Sequence, residues 1–307
     1  MVAEVSGERR HTLAPPGDFV LPFDLPDARL RGRIVRLDEV ATRALSAHPL
    51  PEIASRALGE TLALAGLLGS SLKLEGRLSI QTRSEGPLGL IVSDFFAGGG
   101  LRGYARYDAD RAAGSGGSVS FGALAGDGHL AITIERAPGT APYQGVVALD
   151  ARGLAASAEG YFAQSEQLAT AIRLAAGPVY AGGSHGWRAG GIMVQATPNL
   201  PRDTVTDSDD WRRVALYLAS IEDYELLDTA IAAEDVLWRL FHEDGVRVMP
   251  VEPLGFRCTC GPEKVEPVLK SYGRSDLAEL ADVDGVIRAK CEFCGAVHAF
   301  RPDEIAI

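Results

Sequence analysis

Four cysteines, Cys258, Cys260, Cys291 and Cys294, are the only ones in 307 residues, and all of them fall in the last fifty. They read C-x-C, then thirty residues, then C-x-x-C. Two close pairs separated by one short segment are what a tetrahedral thiolate site requires. All-sulfur ligation selects zinc or an iron–sulfur centre, and Zn²⁺ is the natural occupant. Four protein ligands leave no open coordination position, which argues against a hydrolytic metal.

The first pair is the unusual half. Structural sites usually space their cysteines by two to four residues, whereas only Thr259 separates Cys258 from Cys260. That spacing also permits a disulfide. In extended chain the two Cα atoms lie roughly 6 to 7 Å apart, the upper edge of what a disulfide accepts, so such a bond would be strained and readily reduced. A reducible bond is a candidate switch. Four thiolates on one Zn²⁺ carry net negative charge, partly offset by the neighbouring Arg257 and Lys290, and they stay open to oxidants. Oxidation would eject the metal, and a small domain with little other core would unfold with it.

The elements that must position these residues follow from periodicity. Residues 1–22, with Pro15, Pro16 and Gly17, read as a flexible tail. Leu30, Ile34, Val35 and Leu37 suggest an opening strand between Ala28 and Val40. After Pro51, apolar residues recur at three and four up to Leu72, which predicts an amphipathic core helix ending near Leu74. Its Gly59, Gly66 and Gly69 imply close packing on a sheet. Strands are expected at Arg77–Arg83, Leu88–Asp94, Leu101–Tyr107, His129–Glu135, Tyr143–Leu149, Thr170–Leu174 and Gly191–Gln195, with a helix near Ala155–Gln167. The Gly- and Ser-rich stretches Ala112–Ser118 and Ala181–Gly186 read as mobile loops. The fold class is therefore α+β: an antiparallel-sheet domain with a long core helix over residues 23–200, an acidic helical linker over 201–255, and a small C-terminal cysteine module over 256–307. Within that module, helices at Glu263–Tyr272 and Ser275–Ala281 lead into a hairpin that carries the second cysteine pair.

Composition narrows the function. A hydrophobic share of 46% with 23% charged residues is that of a globular chain. Between Asp203 and Asp244, twelve Asp and Glu face three Arg, a local net charge of −9 within an overall −11. Phosphate binding needs a basic stripe, so nucleic acid is not the expected partner. The opening MVAEVSGERRHTLAPPGD has no apolar core of a signal peptide, and Leu62–Leu72 is too short to span a bilayer. The expected compartment is the cytosol, with no membrane segment.

Other motifs carry blander readings. C-E-F-C lacks the βαβ setting of a thioredoxin-like site. Gly126–Ala131 matches a dinucleotide fingerprint by letter, but an alternating strand follows it, so it reads as a hairpin turn. Ser184-His185, in a glycine-rich stretch, reads as a connector rather than part of a Ser-His-Asp site. No P-loop is present.

The run from Phe256 to Phe300, FRCTCGPEKVEPVLKSYGRSDLAELADVDGVIRAKCEFCGAVHAF, resembles the C-terminal zinc domain of the 33-kDa heat-shock protein family, the redox-switched holdase chaperones. RGRIVRLDEV (Arg31–Val40), the stretch Leu58–Gly89, LRGYAR (Leu101–Arg106), GYFAQSEQLAT (Gly160–Thr170) and AGGIMVQATP (Ala189–Pro198) resemble its N-terminal domain in order, so the likeness covers the chain from about Phe23 onward. Gly261 and His298 depart from the residues common there, and neither is a ligand in the pattern; His298 reads as a surface residue.

The resemblance implies a cytosolic, ATP-independent holdase, not an enzyme. One zinc ion would be held by Cys258, Cys260, Cys291 and Cys294 in the reduced, inactive state. Oxidant, helped by heat, would pair Cys258 with Cys260 and Cys291 with Cys294, expel the zinc, unfold the module and destabilise the linker. The oxidised form would dimerise and bind unfolding client proteins. The linker's apolar stripe, from Trp211 to Phe241, would then be packing surface in one state and exposed surface in the other. Two rivals remain: a zinc-ribbon scaffold without redox response, and a thiol oxidoreductase.

Overall fold

The computed structural model describes residues 3–4, 17–113, 120–137, 139–181, 184–197 and 202–305. The chain forms two compact units, Met1–Phe256 and Arg257–Ile307. The first is built on two sheets. In one, β1 (Ala3–Glu4), β11 (Arg247–Val248), β2 (Phe19–Leu25), β3 (Leu30–Leu37), β10 (Ser184–Ala196) and β9 (Thr170–Ala181) lie in that order, and β12 (Glu252–Pro253) also pairs with β2. In the other, the order is β13 (Gly255–Phe256), β6 (Gly100–Arg106), β5 (Leu90–Phe96), β4 (Arg77–Ser84), β7 (Gly128–Glu135) and β8 (Tyr143–Ala148). Neighbours are antiparallel except β13 on β6.

Helix α1 (Glu39–Ser46) leads to α2 (Glu52–Ser71), which packs on strands of both sheets. Fourteen of its twenty residues are buried, on every face, so it is a helix enclosed by core rather than the amphipathic one the spacing predicts. Its glycines are where strands come closest: a Cβ on Gly59 would lie 2.6 Å from the Ala176 methyl, and one on Gly69 would lie 2.2 Å from the Phe95 ring. Glu60, on the same helix, is pushed up to about 7 by burial and by the Asp223 carboxylate, against the opposing pull of Arg173 and Arg56. A raised carboxyl favours the fold while it is protonated. Its contribution is complete below the ordinary carboxyl range near 4.5 and is lost as pH rises through about 7. Glu60→Gln should therefore unfold at higher temperature than the parent at pH 8, by roughly 1–3 kcal/mol, and match it below pH 5. Parallel melting-versus-pH curves for the two proteins would contradict this.

The opposite face of the first sheet carries the acidic segment. Helices α6 (Arg202–Thr206), α7 (Asp209–Ala219), α8 (Asp223–Leu227) and α9 (Ala233–Phe241) bury Val214, Leu218, Leu226, Val236, Leu237, Leu240 and Phe241 against Leu21, Phe23, Leu25, Ile34 and Ile192. Phe23 and Phe241 stack with ring centroids 5.7 Å apart.

Several sequence expectations are corrected. The strand β2 begins at Phe19, inside the stretch read as tail; Pro22 masked it, yet the proline's carbonyl still accepts the Met249 N–H. Residues 5–16 lie outside the described residues. Of the two expected loops, Ala112 and Ala113 belong to the short α3 (Ala109–Ala113), and 114–118 lie outside the description. Ala181 and Ser184–Gly186 are strand, because β9 and β10 pair across Tyr180 and His185 along a ladder far longer than the apolar runs suggest. The helix expected near Ala155–Gln167 is α5 (Leu154–Tyr161) followed by a π-helical turn to Glu166, closed by left-handed Gln167. Gly126-Asp127 joins a short helix, α4 (Phe121–Ala125), to β7, so the fingerprint-like stretch is a helix-to-strand turn, not a hairpin.

The second unit contains α10 (Pro262–Leu269), α11 (Arg274–Leu280) and the hairpin β14 (Ile287–Lys290) and β15 (Val297–Phe300). Its buried apolar core among the described residues is Leu269, Leu277, Ile287 and Ile305, with Val265, Ala281 and Phe300 partly buried against them.

Candidate metal centre

The four cysteines come from two tight local turns. Cys291 and Cys294 occupy the loop of the β14–β15 hairpin, which closes with the Cys291 N–H on Ala296 O (2.8 Å) and the Gly295 N–H on Cys291 O (2.9 Å). Gly295 has φ +71°, so the turn falls where glycine alone is unstrained. Cys258 and Cys260 precede α10, whose first residue, Pro262, starts the helix directly after Gly261. The C-x-C pair is thus fixed by a helix start and the C-x-x-C pair by a hairpin loop.

All four Sγ atoms lie within 4.8 Å of one another. Cys258 Sγ and Cys291 Sγ are 3.7 Å apart, and Cys260 Sγ and Cys294 Sγ are 3.4 Å apart. Four sulfurs at about 2.3 Å from one zinc ion would define a tetrahedron with edges of about 3.8 Å, whereas a disulfide would bring two to about 2.05 Å. The four side chains are free thiols spaced as metal ligands. His298 is not in the group, which among the described residues consists of the cysteines alone.

The cluster splits its own acidities. At Cys258, burial pushes the thiol up but is outweighed by the Cys260 N–H and by the thiols of Cys260, Cys294 and Cys291, leaving it at about 7. Burial pushes Cys260 up, and hydrogen bonding to the other three sulfurs adds to that. Burial also raises Cys294, against the Ala296 N–H. Cys258 therefore ionises readily, while Cys260 and Cys294 resist a second negative charge beside it. A divalent cation removes that conflict.

Outside the centre, His185 lies in β10 and packs edge-on to Tyr180 and Trp187 at 5.1 and 6.3 Å, a packing role. No helix among the described residues is long and apolar enough to cross a membrane.

Three arginines that the sequence reading passed over hold the acidic segment to the sheet. Arg36 donates to the Ile231 and Glu225 carbonyls, Arg188 to Leu227 O (3.3 Å), and Arg173 to Ile221 O (3.2 Å) and Asp223 Oδ1 (2.7 Å). Gly190 lets that backbone approach: a Cβ there would lie 2.7 Å from Leu226 O. The available signal was a charged residue at a core-facing position of an apolar strand, Arg36 in RGRIVRL.

The fold and site define a class: an α+β body carrying a separate small module organised by four clustered thiols. The family described as Hsp33 protein matches residues 18–301. The 33 kDa chaperonin of Caulobacter vibrioides strain NA1000 is 40% identical over 288 residues, spanning 93% of this chain and 95% of its own. That of Nitrosococcus oceani is 34% identical over 281 residues, spanning 91% and 89%. The crystal structure of the 33 kDa chaperonin, heat shock protein 33 homolog, from Thermotoga maritima has the same fold, with a TM-score of 0.75 at 23% identity over 94% of this chain and 96% of that one. The chain belongs to the Hsp33 family, a family of chaperones.

Proposed function

We propose that this chain is a redox-regulated, ATP-independent holdase that captures unfolding proteins under oxidative and heat stress. The observation that supports it most is the gathering of four thiols in a module whose buried apolar core, among the described residues, is four side chains. In the reduced state Cys258, Cys260, Cys291 and Cys294 bind one Zn²⁺, whose chemistry is structural: it holds four thiolates together and thereby holds the module folded. On oxidation Cys258 pairs with Cys260 and Cys291 with Cys294. Each disulfide forms as two thiolates give up two electrons to one hydrogen peroxide, which takes two protons from solvent and leaves as two waters. The module then has no thiolate donors left and too little core to stay ordered.

Residues 256–307 act in this account as the switch, 201–255 as the metastable linker, and the core that begins at Phe19 as the body on which clients are held. The linker suits that role because the twelve carboxylates between Asp203 and Asp244 repel one another and its docking depends on the sheet. The oxidised chain dimerises, works in the cytosol, and uses neither nucleic acid nor membrane as partner. The test is to treat the chain with peroxide at raised temperature, map its disulfides by peptide mass, and measure whether it keeps a heat-unfolded protein from aggregating. The two named pairs together with a gain of protection are expected. Oxidation that merely inactivates the chain would favour a constitutive zinc-ribbon scaffold.

A further inference from the structure

Just before Cys258 the chain crosses from one sheet to the other. β12 adds antiparallel to β2, with Glu252 opposite Val20; β13 adds parallel to β6, with Phe256 opposite Leu101. Leu254, between them, donates its N–H to Asp18 O (2.9 Å), and Gly255 donates to Gly99 O (3.0 Å). The Leu254 side chain sits over two glycines. A Cβ on Gly66 would lie 3.5 Å from Leu254 Cδ1, and a Cβ on Gly99, at φ +85°, would lie 2.5 Å from Pro253 O. Val35 and Leu101 complete the slot. Two residues on, the Phe256 ring lies 4.5 Å from the Arg43 guanidinium. Alternate residues of an extended strand share a side, so Leu254 and Phe256 enter the body together while Gly255 points away.

This strap is lightly held. It has two ladders of two residues each, and none of its five residues is fully buried. Elements with few buried contacts open first. Its seat, by contrast, is permanent: β6 is a seven-residue strand whose other edge is fixed by β5, and Gly66 and Gly99 keep room for a side chain. A sheet edge with pockets for alternate side chains is how extended peptides are recognised.

We propose that the strap's seat is a client site, exposed when the strap leaves. It accepts an extended polypeptide with apolar residues at alternate positions, an aliphatic one over Gly66 and Gly99 and an aromatic one against Arg43. The inference rests on the redox-chaperone reading for what releases the strap, and it deepens that reading by naming the client class: strands of unfolding proteins, read by their period of two.

The experiment uses the full chain and two synthetic peptides, one spanning Val251–Arg257 and one with its Leu and Phe replaced by Ser. Hydrogen exchange of residues 252–256 and 100–106 is followed in the reduced chain, the oxidised chain, and the oxidised chain holding an unfolded client. Oxidation should speed exchange in both segments by about tenfold or more; client should restore protection to 100–106 only. The strap peptide should displace client, and the Ser peptide should bind about tenfold or more weakly. If the oxidised chain suppresses aggregation while 100–106 never changes, the inference is wrong and the redox reading survives. A Leu254→Ser/Phe256→Ser variant, kept reduced, vacates the seat without oxidant. It should bind the strap peptide with the same selectivity, and failure to bind overturns the inference whatever the oxidised chain does.

Discussion

Stripping the metal with a chelator at neutral pH, or replacing Cys291 by Ser, is expected to unfold residues 257–305 and leave the body folded. The module is too small to stand on its apolar core. Leu269, Leu277, Ile287 and Ile305 are buried, while Val268, Leu280, Val283 and Val297, all large and apolar, are exposed. Units near this size commonly need a metal or disulfides, and a structural zinc site supplies about 10–16 kcal/mol. The Asp282 and Asp284 carboxylates on Arg288 add little, because those pairs face solvent. Trypsin should then cut after Arg274, Arg288 and Lys290 within minutes, with the body left as one resistant fragment. A module that resists trypsin equally with and without chelator would show that its fold does not depend on the four thiolates.

Arg36→Met is expected to loosen the acidic segment while the cysteines stay reduced. Arg36 is 7% exposed, and its guanidinium donates to two carbonyls of the acidic segment, Ile231 O and Glu225 O. Methionine keeps the volume and removes both donors. Losing two charge-assisted bonds and stranding buried acceptors costs about 3–5 kcal/mol, which multiplies the open population by about a hundred to a few thousand. Amide exchange in residues 221–231 should accelerate by that factor, with β4–β7 unaffected. In the proposed function the reduced variant should also hold clients at temperatures where the parent is silent. Arg173→Met should act in the same direction but less, because its ion pair with Asp223 is solvent-exposed. Unchanged exchange in 221–231 would mean that apolar packing alone keeps the segment docked.

The centre was legible because ligand chemistry leaves a spacing that survives folding: four cysteines in two close pairs need no tertiary knowledge to be grouped. The core helix and most strands of the second sheet were legible for a similar reason, since their periods are local. What the sequence concealed depends on partners far along the chain. The strands β12 and β13 have two residues each and exist only because β2 and β6 offer free edges, so no pattern marks them. β2 was hidden by Pro22, which a ladder tolerates once its carbonyl has an acceptor role. The Gly-rich start of β10 looked like a loop because composition does not show that His185 pairs with Tyr180 and Gly186 with Val179 across the β9–β10 ladder. Arg173 and Arg188 look like ordinary surface charges until the acidic segment is laid over them, and only Arg36, on the same face of its strand as Ile34, leaves a local mark.

The central claim is that oxidation of the four cysteines turns holding activity on. Its most direct measurement follows light scattering of a heat-unfolded reporter protein in the presence of the chain, with a chromogenic zinc chelator in the same cuvette and peroxide added partway through. The account predicts that the reduced chain leaves aggregation unchecked, that about one equivalent of zinc appears after peroxide, and that scattering stops rising in step with it. Zinc release without protection, or equal protection before peroxide, would contradict it and leave the cysteines as a structural knot.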